Sequence, residues 1–119
     1  MSSQPEQLRE RSKAFALRVI RLFRSLPYRT DSQVLGKQLL RCGTAVAANY
    51  RAACRARSKA EFVARIGVVA EEADEAVLEL ELLTESGIIS PDKTEALLVE
   101  ARQLAAIFTA SQHTAKHAA

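Results

Sequence analysis

The sequence predicts an all-α protein, a single domain over residues 1–119 folded as an antiparallel up-down-up-down four-helix bundle. Three observations support this prediction. Glycine (4 residues), proline (3) and aromatic residues (5%) are scarce in the 119-residue chain, and the residues that replace them favour helices. Four stretches place apolar residues three and four apart, as on one face of a helix. Short turn signals separate these stretches, so consecutive helices are expected to pack side by side.

The first helix is predicted over residues 6–26. Its apolar face consists of Leu8, Phe15, Val19, Leu22 and Leu26. Its opposite face is basic and holds Arg9, Arg11, Lys13, Arg18, Arg21 and Arg24. Pro27 ends the helix, because a proline disfavours the helical conformation of the residue before it. We interpret the basic face as an ordinary solvated helix surface.

The second helix is predicted over residues 31–56, after a capping box in which Thr30 is the N-cap and Gln33 reaches back to it. Its heptad-spaced seam contains Leu35, Leu39, Cys42, Val46, Asn49, Ala53 and Ala56. Asn49 is the one polar side chain on that seam. A buried amide is costly unless it is paired, so we expect Asn49 to fix helix register or partner choice rather than to contact a ligand.

Small residues run beside this seam, namely Gly43, Ala45, Ala47, Ala48 and Ala52. They would let another helix approach closely, either within one subunit or from a second copy. We favour the second copy, because one apolar stripe per helix is enough for the bundle. The predicted oligomer or specificity contacts are Ala48, Asn49, Tyr50 and Ala52.

The third helix is predicted over residues 59–86, after a second capping box at Ser58 and Glu61. Its seam is the cleanest heptad in the chain: Phe62, Ile66, Val69, Ala73, Ala76, Leu80 and Leu83. Acidic residues cover its other faces. Gly87 is expected at the C′ position that closes this helix.

The fourth helix is predicted over residues 91–112. Ser90 is its expected N-cap, and Pro91 suits the first helical position because its missing N–H would have no helical partner there. The polar, alanine-rich tail beyond Gln112 is expected to fray.

Charge is divided unequally along the chain. Residues 1–65 hold 14 Lys/Arg and 4 Asp/Glu (net +10), whereas residues 66–119 hold 3 and 10 (net −7). The predicted nucleic-acid-binding residues surround the second helix and the turn after it: Lys37, Arg41, Arg51, Arg55, Arg57 and Lys59. Arginine suits phosphate because its planar fork donates two parallel hydrogen bonds. The competing interpretation pairs these cations with the acidic third helix of the same or a neighbouring subunit.

The sequence offers no recognisable enzyme, metal or cofactor motif, so we expect a non-catalytic protein without a cofactor. Carboxylates on the third helix lack the Glu-x-x-His pairs of di-iron bundles, and His113 and His117 are the only histidines. Cys42 and Cys54 would lie about 18 Å apart on one helix, too far to form a disulfide. Two free thiols and the lack of a long apolar run predict a cytoplasmic protein without a membrane span.

Four motifs together resemble the bacterial family of 23S rRNA intervening-sequence (IVS) proteins. They are LGKQLLR at 35–41, ANYR at 48–51, ARSKAEF at 56–62 and EADE at 72–75. The resemblance covers most of the chain from Ser12 to Ile89. Two departures concern side chains that partners could contact: Ala52 replaces a frequent glutamate, and Leu78-Glu79 replace a frequent Tyr-Trp pair.

The resemblance implies a small bundle that assembles into a ring-like pentamer. It also implies kinship with the accessory proteins of diversity-generating retroelements, which are basic bundles that bind a reverse transcriptase and nucleic acid. The family has no established catalytic residues, so the resemblance assigns none here.

Two classes of function follow. The first is a non-catalytic, oligomeric adaptor whose basic surface binds RNA, DNA or a nucleoprotein partner such as a reverse transcriptase. The alternative is a protein–protein scaffold or assembly module that binds no nucleic acid. A strong dependence of RNA affinity on salt would distinguish the first from the second.

Overall fold

The structure, a computed structural model, describes residues 3–118, and within that range it is all α-helical. The helices are α1 (Gln4–Arg24), α2 (Thr30–Ala53), α3 (Lys59–Glu85) and α4 (Pro91–Lys116). Each is joined to the next by five residues. The predicted fold class is therefore confirmed.

The contacts between neighbouring helices are those of antiparallel helices, as an up-down-up-down bundle requires. Along α2, Gly36 approaches Phe23 of α1, and Gly43, further along, approaches the earlier residue Val19. Helix α2 packs extensively on α1 and α3, and α4 packs extensively on α3, whereas α1 touches α4 only sparingly. Helices α1 and α3 therefore lie diagonally opposite each other.

The heptad seam of α3 is the best-predicted part of the core. All its members are buried except Phe62, which is half-buried. Along α2 the predicted seam is buried at Leu39, Cys42, Val46 and Ala53, but Asn49 is only half-buried and its neighbour Tyr50, 5% exposed, takes the core position instead. The Tyr50 ring packs against Phe108 of α4, with 5.1 Å between ring centroids.

Gly43 is a correction to the set of small residues expected to contact a second copy. A Cβ atom at Gly43 would lie 2.9 Å from Cγ2 of Val19, which is fully buried. The glycine thus allows α1 of the same subunit to approach closely. Gly43 is therefore buried against α1 and is not available to a second copy.

Two of the predicted helix starts differ in the structure. At α3 the Ser58 hydroxyl accepts a hydrogen bond from the Glu61 N–H (3.0 Å), as predicted, although the Glu61 carboxylate accepts from Arg57 N–H rather than from Ser58 N–H. At α2 the prediction was wrong: Arg29 is the N-cap and Thr30 is already helical. The Gln33 amide donates to the Pro27 carbonyl instead.

Helix α3 ends at the predicted glycine, whereas α4 is longer than predicted. Gly87 closes α3 with φ +81°, a conformation that glycine tolerates, and its N–H donates to the Thr84 carbonyl. Fraying beyond Gln112 was a wrong expectation, because α4 continues to Lys116. The Gln112 amide donates to the Val63 carbonyl of α3 and so holds this end of α4 in place.

Candidate nucleic-acid interface

A shallow groove runs between the first half of α1 and the last turns of α2. Four cations line it: Arg9, Lys13, Arg51 and Arg55. We call these four residues and the surface between them the α1–α2 basic groove. Arg9 and Lys13 are four residues apart on α1 and project from the same helix face, while Arg51 lies in the last turn of α2 and Arg55 just beyond the end of that helix.

The four cations of the groove have no ion-pair partner among residues 3–118, where the other ion pairs are found. Glu6 and Glu10 line the same groove and moderate its positive potential. Four unpaired cations against two carboxylates leave the groove net positive. A polyanion could therefore bind without breaking an existing ion pair.

The floor of the groove is small and largely apolar, since Ala47, Ala48 and Ala52 line it together with Thr44. Tyr50 lies buried beneath it, and burial, with a smaller effect of the neighbouring Cys54, raises the pKa of its phenol. The groove thus presents cations without an exposed aromatic ring. Such a surface can bind phosphates but offers no platform on which bases could stack.

The structure separates the predicted nucleic-acid-binding residues from one another. Arg51 and Arg55 lie in the groove, and Lys37 is exposed further back along α2. Arg41 instead forms ion pairs with Glu72 (3.2 Å) and Glu75 of α3. These two carboxylates, Glu75 most strongly, raise the pKa of the Arg41 guanidinium. The competing interpretation, pairing with the acidic third helix, therefore holds for Arg41.

The remaining predicted cations lie at the α2–α3 turn. Arg57 is 3.9 Å from Glu61, and Lys59 donates to the Ala118 carbonyl at 2.5 Å. Both contacts are exposed, and exposed pairs contribute little stability. These cations remain accessible to a polyanion beside the groove.

Sequence reasoning missed Arg9 and Lys13, whose helix face was interpreted as ordinary solvated surface. The signal was present in their spacing of four residues and in the short turn between α1 and α2. Because an antiparallel pair brings the start of its first helix to the end of its second, Arg9 and Lys13 meet Arg51 and Arg55 there. To predict this site, one has to know which two helices pack together. The density of charge along a single helix is not enough.

The predicted oligomer contacts also differ in accessibility. Ala48 is exposed, and Asn49 and Ala52 are half-buried. The Asn49 amide has no hydrogen-bond partner in the part of the chain that the structure describes. Tyr50 is a correction, because its side chain is committed to the core and cannot form a subunit contact in this conformation.

The thiols and histidines add no site of their own. Cys42 and Cys54 are both free, and burial raises the pKa of Cys42 to about 12. The His113 and His117 rings lie 4.5 Å apart near the end of α4. Within residues 3–118 no group of three or more His, Cys, Asp or Glu could hold a metal ion. No helix in that range is long and apolar enough to cross a membrane.

The fold and the groove define a small all-α bundle with one strongly basic side. The family model of the 23S rRNA-intervening sequence proteins matches residues 6–110, and the chain belongs to this family. This assignment confirms the resemblance found in the sequence, while kinship with retroelement accessory proteins stays a prediction.

A solved structure with a similar fold is among those that match the chain. It is the crystal structure of a protein with unknown function from the S23 ribosomal protein family of Bacteroides thetaiotaomicron. The two chains are 28% identical with a TM-score of 0.86, and the match covers 94% of this chain and 100% of that one. No curated protein matches the chain.

Proposed function

We propose that the protein is a non-catalytic adaptor that binds the phosphate backbone of RNA or DNA through the α1–α2 basic groove. The observation that carries the proposal is the meeting of four unpaired cations from two helices. Arg41 is assigned no leading role, because α3 already neutralises it. Lys37, Arg57 and Lys59 extend the positive surface on either side of the groove.

Binding is proposed to be independent of base sequence. The groove supplies cations and small side chains, and Tyr28, the fully exposed aromatic residue (98%), lies at the far α1–α2 turn. Phosphate contacts position a protein on nucleic acid but carry no sequence information. Specificity, on this proposal, comes from a partner or from assembly.

Self-association is the second part of the proposal, with the pentamer that the resemblance implies as the expected state and a reverse transcriptase as a candidate protein partner. Exposed Ala48 and the unpaired amide of Asn49 support a subunit contact beside the groove. Because Ala48 also lines the groove, nucleic-acid affinity and native mass belong in the same experiment.

The test is the affinity for a 20-base RNA and a 20-base-pair DNA duplex, each measured by fluorescence anisotropy across a salt series. Four neutralised phosphates predict a slope of log K against log salt of about −3 to −4. The double variant Arg51→Ala/Arg55→Ala should bind about tenfold more weakly, and its slope should fall by about two. Native mass spectrometry of both proteins shows whether assembly has changed.

The matched control is Arg21→Ala/Arg24→Ala, which removes two exposed cations from the far end of α1. It makes the same change in net charge, so a local site predicts a much smaller effect. Equal losses in the two variants would show that net charge, and not the groove, governs binding. An RNA affinity that does not change with salt would reject the proposal.

A further inference from the structure

The outer side of α3 carries an apolar strip rimmed by carboxylates. Val68, Leu78 and Leu82 are 42%, 49% and 40% exposed, an unusual setting for large aliphatic side chains. Spacings of three and four place four glutamates on the same face: Glu71, Glu72, Glu75 and Glu79. We call these seven residues the acidic strip.

The four carboxylates differ in how they are satisfied. Glu72 and Glu75 share one cation, Arg41 of α2. Glu71 is exposed and has no ion pair among residues 3–118. Glu79 is only 5% exposed, and its Oε2 atom is buried without a hydrogen-bond partner in the described residues. One cation thus faces four carboxylates.

Glu79 is the informative member of the strip. A buried carboxylate without a partner is costly, and an ordinary bundle position of this kind is filled by an apolar or hydrogen-bonded side chain. The neighbouring Glu75 adds like charge to the same region. The strip therefore contains no cation that pairs with Glu79.

The apolar part of the strip extends onto α2. Arg41 marks the register, because it reaches Glu72 and Glu75 across the antiparallel pair. Val34 lies seven residues, or two turns, before Arg41 and on the same helix face, so it lies level with the Glu79–Leu82 segment of α3. Val34 is 50% exposed. It widens the apolar surface where Glu79 is unpaired.

We propose that the acidic strip is the docking surface for a basic amphipathic helix of a partner protein. Apolar residues of that helix, spaced three and four apart, would cover Leu78, Leu82 and Val34. A lysine or arginine beside them would reach Glu79, and further cations would meet Glu71. Charge complementarity selects this occupant, because a phosphate backbone would be repelled by the same carboxylates.

The acidic strip and the α1–α2 basic groove both border α2 but use different parts of it. Val34, near the start of α2, widens the strip, whereas the groove is lined by Thr44 and later residues. A partner helix and a nucleic acid could therefore be bound together. The groove variants of the previous subsection leave the strip intact, so each proposal can fail alone.

The test uses a synthetic 18-residue amphipathic peptide of leucine and lysine, labelled with fluorescein, and a control peptide with glutamate in place of lysine. Two variants remove features of the strip, Glu79→Gln and Leu82→Ser. Two matched controls make the same changes on α4, where Glu95 and Val99 are exposed: Glu95→Gln and Val99→Ser. Circular dichroism of each variant checks that it is folded.

We expect the basic peptide alone to bind, with affinity reduced about tenfold or more in Glu79→Gln and Leu82→Ser and retained in both controls. Equal affinity in all four variants, or equal binding of the acidic peptide, would overturn the proposal. Native mass spectrometry supplies a second check, because a strip free for a partner predicts the same mass for wild type and Leu82→Ser. A lower mass in Leu82→Ser would assign the strip to a second copy of the chain instead.

Discussion

At the scale of single residues, Glu79 is where this bundle departs from a core built for stability alone. Its neighbours on the α3 seam, Ala76 and Leu80, are fully buried and apolar. Burial, assisted by Glu75, raises the pKa of Glu79 above its ordinary value, and the more distant Arg41 only partly opposes this. The folded protein therefore favours the protonated carboxyl more than the unfolded chain does.

Glu79 should make the free energy of unfolding depend on pH. A carboxyl whose pKa is raised by folding destabilises the folded state above that pKa, and this cost disappears as the pH falls towards the unfolded value of about 4.3. Glu79→Gln should therefore raise the free energy of unfolding at pH 7 by about 1 kcal/mol. Urea titrations should show this gain shrinking towards pH 4. A gain that is constant with pH, or one matched by Glu95→Gln, would contradict the assignment.

At the scale of elements, the starts of α2 and α3 form a natural comparison. Both have a hydroxyl residue followed three positions later by Gln or Glu, which predicts the same capping box. Only Ser58 forms the cap hydrogen bond, because the chain enters α2 one residue earlier and makes Thr30 its first helical residue. The same local sequence pattern thus has two structural outcomes.

Substituting the two hydroxyl residues tests this difference. Ser58→Ala should lower the free energy of unfolding by about 1 kcal/mol, because it leaves the Glu61 N–H without its acceptor. Thr30→Ala should change it by only a few tenths of a kcal/mol, within the range of ordinary surface substitutions. Chemical denaturation of both variants gives the answer. Equal losses would mean that Thr30 caps α2 after all.

At the scale of the whole molecule, the four helices do not pack equally closely on one another. Helices α1 and α4 touch sparingly, and an arginine of α1 bridges them. The Arg11 guanidinium donates through Nε to Glu100 (3.1 Å) and through its second nitrogen to both Glu100 (2.5 Å) and Gln103 (3.2 Å). This fork holds α1 against α4 near the end of the bundle that carries the basic groove.

Arg11→Ala should loosen that seam. We expect the free energy of unfolding to fall by about 1 kcal/mol, since a two-pronged arginine pair is stronger than an average surface pair. Hydrogen exchange followed by mass spectrometry should show faster exchange in the first half of α1, and α3 should be unaffected. Uniformly faster exchange in all four helices would show that the seam has no separate stability.

The sequence predicted the elements well and the site only in part, and particular residues show why. The α3 seam was predicted at every position but Phe62, because its period determines which positions are buried. Along α2, Tyr50 is buried in place of Asn49 and packs on Phe108 of α4, a partner that the period of one helix does not contain. The position of Arg9 and Lys13 in the groove and the ion pairing of Arg41 likewise depend on which helices are neighbours.

The two cysteines differ enough to give the protein a built-in reporter. Cys42 is fully buried and its thiol titrates only near pH 12, so a maleimide dye at pH 7 to 8 would not reach it. Cys54 lines the basic groove and is only half-buried. A thiol-directed fluorophore would therefore label the unaltered chain at one place, beside Arg51 and Arg55. Its emission would follow occupancy of the groove in real time, with no engineered residue.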